Sequence, residues 1–333
     1  LNEHLRDVNG WIEPPARQPS PVAKAVDGQP FQPRLVHVII NPAAGQDAPL
    51  LGSLNTVFKE HGVDWQVFIT KDMGDARRFA ADSASAGVDA VIACGGDGTV
   101  TEVACGLLGS GIPLGILPWG SANVMSIQLG IPADVALAAE LVAGGRNRVQ
   151  PVDMAAYEDT HFLLRATIGA GARIINNTPR ESKNRWGNLA YVLTGLSELA
   201  HLEPTRYYLN IDGLHVEVDG ITAFVGNSMN VGLPGRELVH GVDVGDGMLD
   251  VVLIRSGDLP SLLAIATNTV FNRPHDAAPI LHWQARDVKV AVEPPQPTEV
   301  DGEERRSTPF HARVVPSAVR ILCPAQTVEE NNG

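Results

Sequence analysis

The sequence predicts an α/β domain with a parallel sheet, followed by a β-sandwich domain. Three observations carry that expectation. From Leu35 onward, short apolar runs alternate with stretches of helical periodicity, as strands sharing a parallel sheet do when helices cover both of its faces. Beyond about Val152 the apolar runs shorten, alternate with polar residues and are punctuated by Gly, Asp and Pro, the texture of antiparallel strands. The chain has 333 residues, 44% of them hydrophobic, which suits two packed domains better than one.

Taken in order, residues 1–34 hold Pro14, Pro15, Pro19, Pro21, Pro30 and Pro33 among polar residues. They read as a flexible leader without the apolar core of a signal peptide. Leu35–Ile40 is an apolar, β-branched strand buried on both faces, and it ends in Asn41-Pro42-Ala43-Ala44-Gly45. Leu50, Leu51, Leu54, Val57 and Phe58 then follow helical spacing. Trp65–Ile69 is the next strand, closed by Thr70, and a helix over about Asp75–Ala86 leads to a third strand, Asp89–Ala93. Leu114–Leu117 is a further apolar run.

In the second domain an amphipathic stretch, Leu189–Leu202, precedes strand-like segments at Tyr207–Ile211, His215–Val218, Ile221–Val225, Leu249–Ile254, Val288–Val292 and Val319–Cys323. Taken alone, Pro294–Pro297 with Asp301-Gly302-Glu303 reads as a turn between two strands. The α/β domain is placed at 35–151, the sandwich at 152–325 and a tail at 326–333, with the groove between the domains as the default site.

Charge excludes some partners. With 38 Asp+Glu against 25 Lys+Arg, a formal net charge of -13, the chain repels nucleic acid and anionic lipid head groups alike. No nucleic-acid partner is expected, and membrane contact needs a local patch. Arg173, Arg180, Lys183, Arg185 and Trp186 form one that is expected to meet a membrane surface. No apolar run approaches the roughly 18–20 residues of a membrane span. The three cysteines, Cys94, Cys105 and Cys323, make neither a disulfide framework nor a paired metal-ligand spacing, which points to a reducing compartment. A cytoplasmic protein, peripheral at the membrane, is the expectation.

The strongest chemical signal is Cys94-Gly95-Gly96-Asp97-Gly98-Thr99, directly after the third strand and before Val100-Thr101-Glu102, where a helix is expected to start. The glycines let backbone approach a ligand closely. Thr99 and Glu102 fit a capping box, which aims free helix-start amides at the strand ends, a place that attracts phosphate. Asp97 there can hold Mg²⁺ or orient a nucleotide. Two more loops belong to the same side of the sheet: Asn41–Gly45, and Pro118-Trp119-Gly120-Ser121-Ala122-Asn123, which adds a hydroxyl (Ser121) and an amide side chain (Asn123). Together they suit a polyphosphate. The chain has no Gly-Lys pair for a Walker A loop, no third glycine of a dinucleotide fingerprint, no Gly-x-Ser-x-Gly elbow and no His-Glu-x-x-His.

In these motifs, in order and spacing, the chain resembles the diacylglycerol kinase catalytic-domain family, which includes YegS-like and DgkB-like bacterial lipid kinases and is related to the sphingosine kinases. The resemblance covers roughly 35–324 and extends to Asn188-Leu189-Ala190-Tyr191, Val225-Gly226-Asn227, Asp246-Gly247-Met248-Leu249-Asp250-Val251 and Val300-Asp301-Gly302-Glu303. It implies an NAD kinase/diacylglycerol kinase-like nucleotide-binding α/β domain and ATP-dependent phosphorylation of a lipid hydroxyl, diacylglycerol-like or sphingoid, between the domains. It also implies contacts to ATP from Asn41, Pro42, Ala43, Ala44, Gly45 and Thr70, phosphates wrapped by Gly95, Gly96, Asp97, Gly98 and Thr99, and Ser121 beside the nucleotide. Glu303 or Asp301 would accept the proton of the lipid hydroxyl, and either carboxylate fits. A second Mg²⁺ site maps to the Asp246 side chain with backbone oxygens at about Asp243 and Met248.

Departures from the family pattern are Gln46-Asp47 after Gly45, Ser121 for the commoner Thr, and Val124 after Asn123. Two alternatives stay open: an NAD kinase-like enzyme, which shares Gly-Gly-Asp-Gly-Thr, and a non-catalytic nucleotide- or lipid-binding module. Oligomeric state is left open, a homodimer being compatible with the sequence.

Overall fold

The structure is a computed structural model that describes residues 25–45, 50–169, 203–255, 258–270 and 280–325. The first domain is built on four parallel strands, β1 (Leu35–Ile40), β2 (Asp64–Ile69), β3 (Ala90–Gly95) and β4 (Pro113–Pro118), in the order β2-β1-β3-β4. β3 and β4 are buried along their whole length, which is why they read as unbroken apolar runs. The helices α1 (Leu50–Glu60), α2 (Asp75–Ser85), α3 (Asp97–Leu107), α4 (Val124–Gln128) and α5 (Val135–Ala143) complete the layers, α2 packing on α3 and α1 on α5.

The second domain comprises β5 (Asn147–Tyr157), β6 (Thr160–Phe162), β7 (Arg165–Gly169), β8 (Thr205–Ile211), β9 (Leu214–Gly220), β10 (Thr222–Gly226), β11 (Asn230–Leu233), β12 (Arg236–Glu237) and β13 (Leu249–Ile254). Helix α6 (Leu259–Val270) and strands β14 (Ile280–Ala285), β15 (Asp287–Glu293), β16 (Thr298–Val300), β17 (Glu303–Arg305) and β18 (Phe310–Pro324) follow. One sheet runs β14-β13-β10-β7-β16-β17, and its inner face packs on β5, β8, β15 and β18 around Tyr207, Phe162, Phe310, Val251 and Val300. The sandwich is antiparallel, as its alternating segments predict.

Two sequence expectations are corrected. Val319–Cys323 is not simply a sandwich strand. It is the far end of β18, whose first half pairs antiparallel with β15, while Arg320 and Ile321 pair parallel with Pro113 and Leu114 of β4. A register irregularity between Val315 and Val319 turns the strand from one domain into the other. The final strand thus fuses the domains into one ten-stranded sheet. Nor is all of 1–34 a leader: the Asn147 side chain accepts from Phe31 N–H and donates to Phe31 C=O, both at 2.9 Å. Asn147 is fully buried and ties that arm to α5, its Nδ2 donating also to Leu141 O at 2.8 Å, which docks Phe31 into the core.

The amphipathic stretch 189–202, the basic patch 173–186 and Gln46-Asp47 lie outside the described residues. Among the described residues no helix is long and apolar enough to cross a membrane.

Candidate active site

Three loops meet at the C-terminal ends of β1, β3 and β4. Asn41 stitches the first to the second: its N–H donates to Cys94 O at 2.9 Å and its Nδ2 to Thr99 Oγ1 at 3.1 Å. Its Oδ1 accepts from Ala43 N–H, closing the short 3₁₀ turn Pro42–Ala44. The third loop joins through Trp119 N–H, which donates to Gly95 O at 3.0 Å. Thr70, closing β2, is tied to the same edge by its N–H to Ile40 O at 2.9 Å.

Contact between the loops is what demands glycine. A Cβ on Gly120 would stand 2.4 Å from Gly96 Cα, and one on Gly45 would stand 2.1 Å from Trp119 Nε1. Gly98 instead faces open space on the first turn of α3. Open space therefore lies beside packed backbone at the start of α3.

The expected capping box does not form. β3 continues to Gly95 and α3 starts at once, at Asp97, so Thr99 and Glu102 sit inside the helix. Gly96 at the N-cap provides no side-chain bond, which leaves the first amides of α3 free of one. Glu102 caps a different helix: its Oε2 accepts from Gly74 N–H at 3.1 Å, Ala76 N–H at 3.2 Å and Arg77 N–H at 3.4 Å, at the start of α2. A carboxylate is favoured at that helix end, and Gly74 at its N-cap has none of its own.

Asp97 is half-buried, and its Oδ1 accepts from Met125 N–H at 3.3 Å. Burial pushes its carboxyl up, and the neighbouring Asp301 charge pushes it further. Ser121 is exposed at the loop tip. Asn123 adopts a left-handed conformation (φ 50°) and turns its amide back on Gly120, accepting from its N–H at 3.0 Å and donating to its C=O at 2.9 Å. It shapes the loop and keeps little for a ligand.

The second domain enters through the turn between β16 and β17, where Asp301 and Gly302 both have positive φ, 47° and 87°. Asp301 Oδ1 accepts from Leu164 N–H and Arg165 N–H, each at 3.0 Å. Its Oδ2 accepts from Leu163 N–H at 2.9 Å and from Thr101 Oγ1 at 2.8 Å. Burial nevertheless pushes its carboxyl up. With two bonds on each oxygen, Asp301 is an anchor that pins the turn to β7 and α3. Glu303, one residue past the turn, carries an exposed carboxylate paired with Arg305 at 2.6 Å. Of the two candidate bases the geometry leaves Glu303 with lone pairs to use.

Sequence reasoning assigns no role to Thr101, Arg165 or Glu299. Glu299 is 4% exposed, and burial foremost pushes its carboxyl up to about 7. A strand of three residues is too short to display its burial pattern.

The loop at Asp243, Asp246 and Met248 lies apart from these residues. Asp246 Oδ1 accepts from Met248 N–H at 2.9 Å and its Oδ2 from Gln284 Nε2 at 3.2 Å, while Asp243 Oδ1 accepts from Gly245 N–H at 3.0 Å. Asp153 is buried beside them, its carboxylate holding Gly247 N–H and Ser317 N–H at 2.6 Å each. Burial foremost, then the Asp246 and Asp243 charges, pushes the Asp153 carboxyl up, and burial foremost, then the Asp250 and Asp243 charges, pushes up that of Asp246. Among the described residues no group of three or more His, Cys, Asp or Glu is placed to hold a metal.

Residues 35–157 match the model of the diacylglycerol kinase catalytic domain, and residues 166–323 match that of the YegS C-terminal NAD kinase beta sandwich-like domain. A protein named "Probable lipid kinase YegS-like" from Klebsiella pneumoniae (strain 342) is 32% identical over 291 residues, covering 86% of this chain and 95% of the relative. The crystal structure of a diacylglycerol kinase from Bacillus anthracis str. Sterne superimposes with a TM-score of 0.68 at 25% identity, covering 88% of this chain and 98% of its own. A second structure from that organism gives a TM-score of 0.74 at 28% identity, covering 88% and 96%. Both domain models, the near full-length relative and the shared fold lead to one conclusion: the chain belongs to the YegS-like lipid kinase family, built on the diacylglycerol kinase catalytic domain.

Proposed function

We propose that the chain transfers the γ-phosphoryl group of ATP to the hydroxyl of a lipid alcohol, diacylglycerol-like or sphingoid, with Mg²⁺ as cofactor. The observation that carries this reading is the Thr101–Asp301 hydrogen bond, 2.8 Å long, which docks the acidic turn of the second domain onto the helix that opens in the glycine loop of the first. A phosphate-binding end and an acidic turn then face one space. Transfer needs both sides.

On the first side, the uncapped amides of α3 and the touching Gly96 and Gly120 loops suit phosphate oxygens. Asp97 fits a cation, because its carboxyl is already pushed up by burial and by Asp301, and a positive charge relieves both. Mg²⁺ commonly takes one or two carboxylates and completes its shell with phosphate oxygens and water, so a dedicated cluster of acidic side chains is not required. When bound, Mg²⁺ neutralises charge developing on the transferred group.

On the second side, Glu303 takes the proton from the lipid hydroxyl as that oxygen attacks, and Asp301 holds the turn so that Glu303 is presented. Asn41 and Thr70 fix the edge of the nucleotide site rather than meeting phosphate with free side chains. The Asp243–Met248 loop is offered as a second Mg²⁺ position, held by the Asp246 carboxylate and backbone oxygens.

Incubation with γ-labelled ATP and a total lipid extract, followed by identification of the labelled product, tests the reading. A labelled phosphomonoester lipid formed only with Mg²⁺ supports it. Tight ATP binding without lipid labelling favours a binding module, and label in NAD favours the related dinucleotide kinases.

A further inference from the structure

Glu299 is a buried carboxyl that no step above employs. It lies on β16, in register with Thr167 of β7 and Glu304 of β17. It is 4% exposed, and its Oε2 is buried without a hydrogen-bond partner. The charged groups around it are Arg165 on β7, Asp301 in the turn and Glu304 on β17, and the Gly302 N–H is directed at its carboxyl. A buried carboxylate with an unpartnered oxygen is costly, and a proton on that oxygen removes the charge.

Arg165, whose charge acts on Glu299 against the effect of burial, is bonded to main-chain carbonyls. Its Nη1 donates to Asn230 O at 2.7 Å and to Ser228 O at 3.4 Å, and its guanidinium lies 5.9 Å from the Phe224 ring centre. Ser228 Oγ in turn donates to Gln128 Oε1 at 3.1 Å, and Gln128 Nε2 to Glu237 Oε1 at 2.8 Å. Arg165 therefore belongs to a chain of bonds that ties α4 of the nucleotide domain to β11 and β12. Its own N–H also holds Asp301.

We propose that Glu299 is a positioning residue held as the neutral acid, whose lack of charge keeps Arg165 on its carbonyl partners and leaves Asp301 as the buried carboxylate that anchors the Glu303 turn. Its catalytic consequence rests on the function proposed above; its protonation does not. Ionised, Glu299 would draw the guanidinium from Asn230 and Ser228 and repel Asp301, so both anchors of the turn would loosen together. Burial already places its titration at about 7, so the change falls within the ordinary working range.

The test compares the full chain with Glu299→Gln, which is neutral at every pH. Wild-type kcat should fall between pH 6 and pH 8, and in the variant the ratio of the two values should move close to one. The same ratio in both proteins, or loss of kcat at both pH values in a variant that melts like wild type, would overturn the proposal. Melting gives a readout that needs no substrate. A folded-state value above the unfolded one means that the stabilisation is complete below the unfolded value and is lost as pH rises through the folded one. The melting temperature of the variant minus that of wild type should therefore increase from pH 5 to pH 8, and a constant gap contradicts the proposal. If the variant does not fold, carbon-13 NMR of labelled glutamate carboxyls in wild type decides: one should titrate near 7, and none above 6 would sink it. A wild type without lipid kinase activity defeats the function proposed above while leaving the melting and NMR results to decide Glu299.

Discussion

Thr101 donates its hydroxyl to the Asp301 carboxylate at 2.8 Å, across 200 residues of sequence. One partner stands on the helix that opens in Gly95-Gly96-Asp97-Gly98-Thr99, the other in the Asp-Gly-Glu turn of the sandwich. Three backbone amides from Leu163, Leu164 and Arg165 hold the same carboxylate. This junction fixes the turn of the sandwich against α3.

Thr101→Val removes the bond to a charged acceptor while keeping the shape of the side chain. It is expected to cost about 1.5–3 kcal/mol of stability. Transfer should fall while ATP affinity stays at the wild-type value, since the change acts on the turn; calorimetric unfolding and ATP titration check the two parts.

Asp301→Asn is expected to be worse for the fold than for the nucleotide site. The amide group retains one acceptor oxygen and turns donors toward N–H groups, leaving amides among Leu163, Leu164 and Arg165 unpaired at a cost of about 1–3 kcal/mol or more. A lowered melting temperature with ATP affinity retained is the predicted pair of results.

Gly120→Ala puts a methyl group 2.4 Å from Gly96 Cα, and neither side of that contact is a side chain that can swing away. Overpacking of this kind costs about 1–3 kcal/mol. The two loops should part and ATP affinity should drop by about tenfold or more. An alanine variant that binds ATP like wild type would remove the loop contact from the account.

Asp97→Asn should abolish transfer with the fold intact, and its stability should carry a pH signature. The Asp97 carboxyl is pushed up in the folded chain by burial and by Asp301. Its contribution is therefore complete below the unfolded value of about 4 and is lost as pH rises through the folded one. The Asn variant has no such loss, so its melting temperature relative to wild type should increase as pH rises above about 4.

The glycine loop was legible because its information is local: three glycines and an Asp at a strand end specify close backbone approach whatever packs above them. The alternating strands of the sandwich were legible for the same reason. What sequence reasoning missed is nonlocal. Glu102 has the spacing of a capping residue for its own helix, yet its partners, Gly74, Ala76 and Arg77, belong to α2. The apolar run Val319–Cys323 shows burial but not which neighbour it pairs with, so its parallel register with β4 was invisible. Asp301 and Glu303 could not be ranked from a turn motif, because what separates them is the set of amides that Leu163, Leu164 and Arg165 bring to one and not to the other.

The central claim is that the Asp-Gly-Glu turn of the second domain completes a phosphoryl-transfer site begun in the first. Single-turnover transfer from γ-labelled ATP to the identified lipid, measured for Glu303→Gln beside wild type at saturating Mg²⁺ and ATP, tests it most directly. The account predicts a chemical step slowed by about 10²–10⁴-fold with unchanged ATP affinity and melting temperature, because Glu303 is exposed and meets the acceptor hydroxyl rather than the nucleotide. A variant that transfers at the wild-type rate would contradict it and return Asp301-Gly302-Glu303 to the status of an ordinary turn.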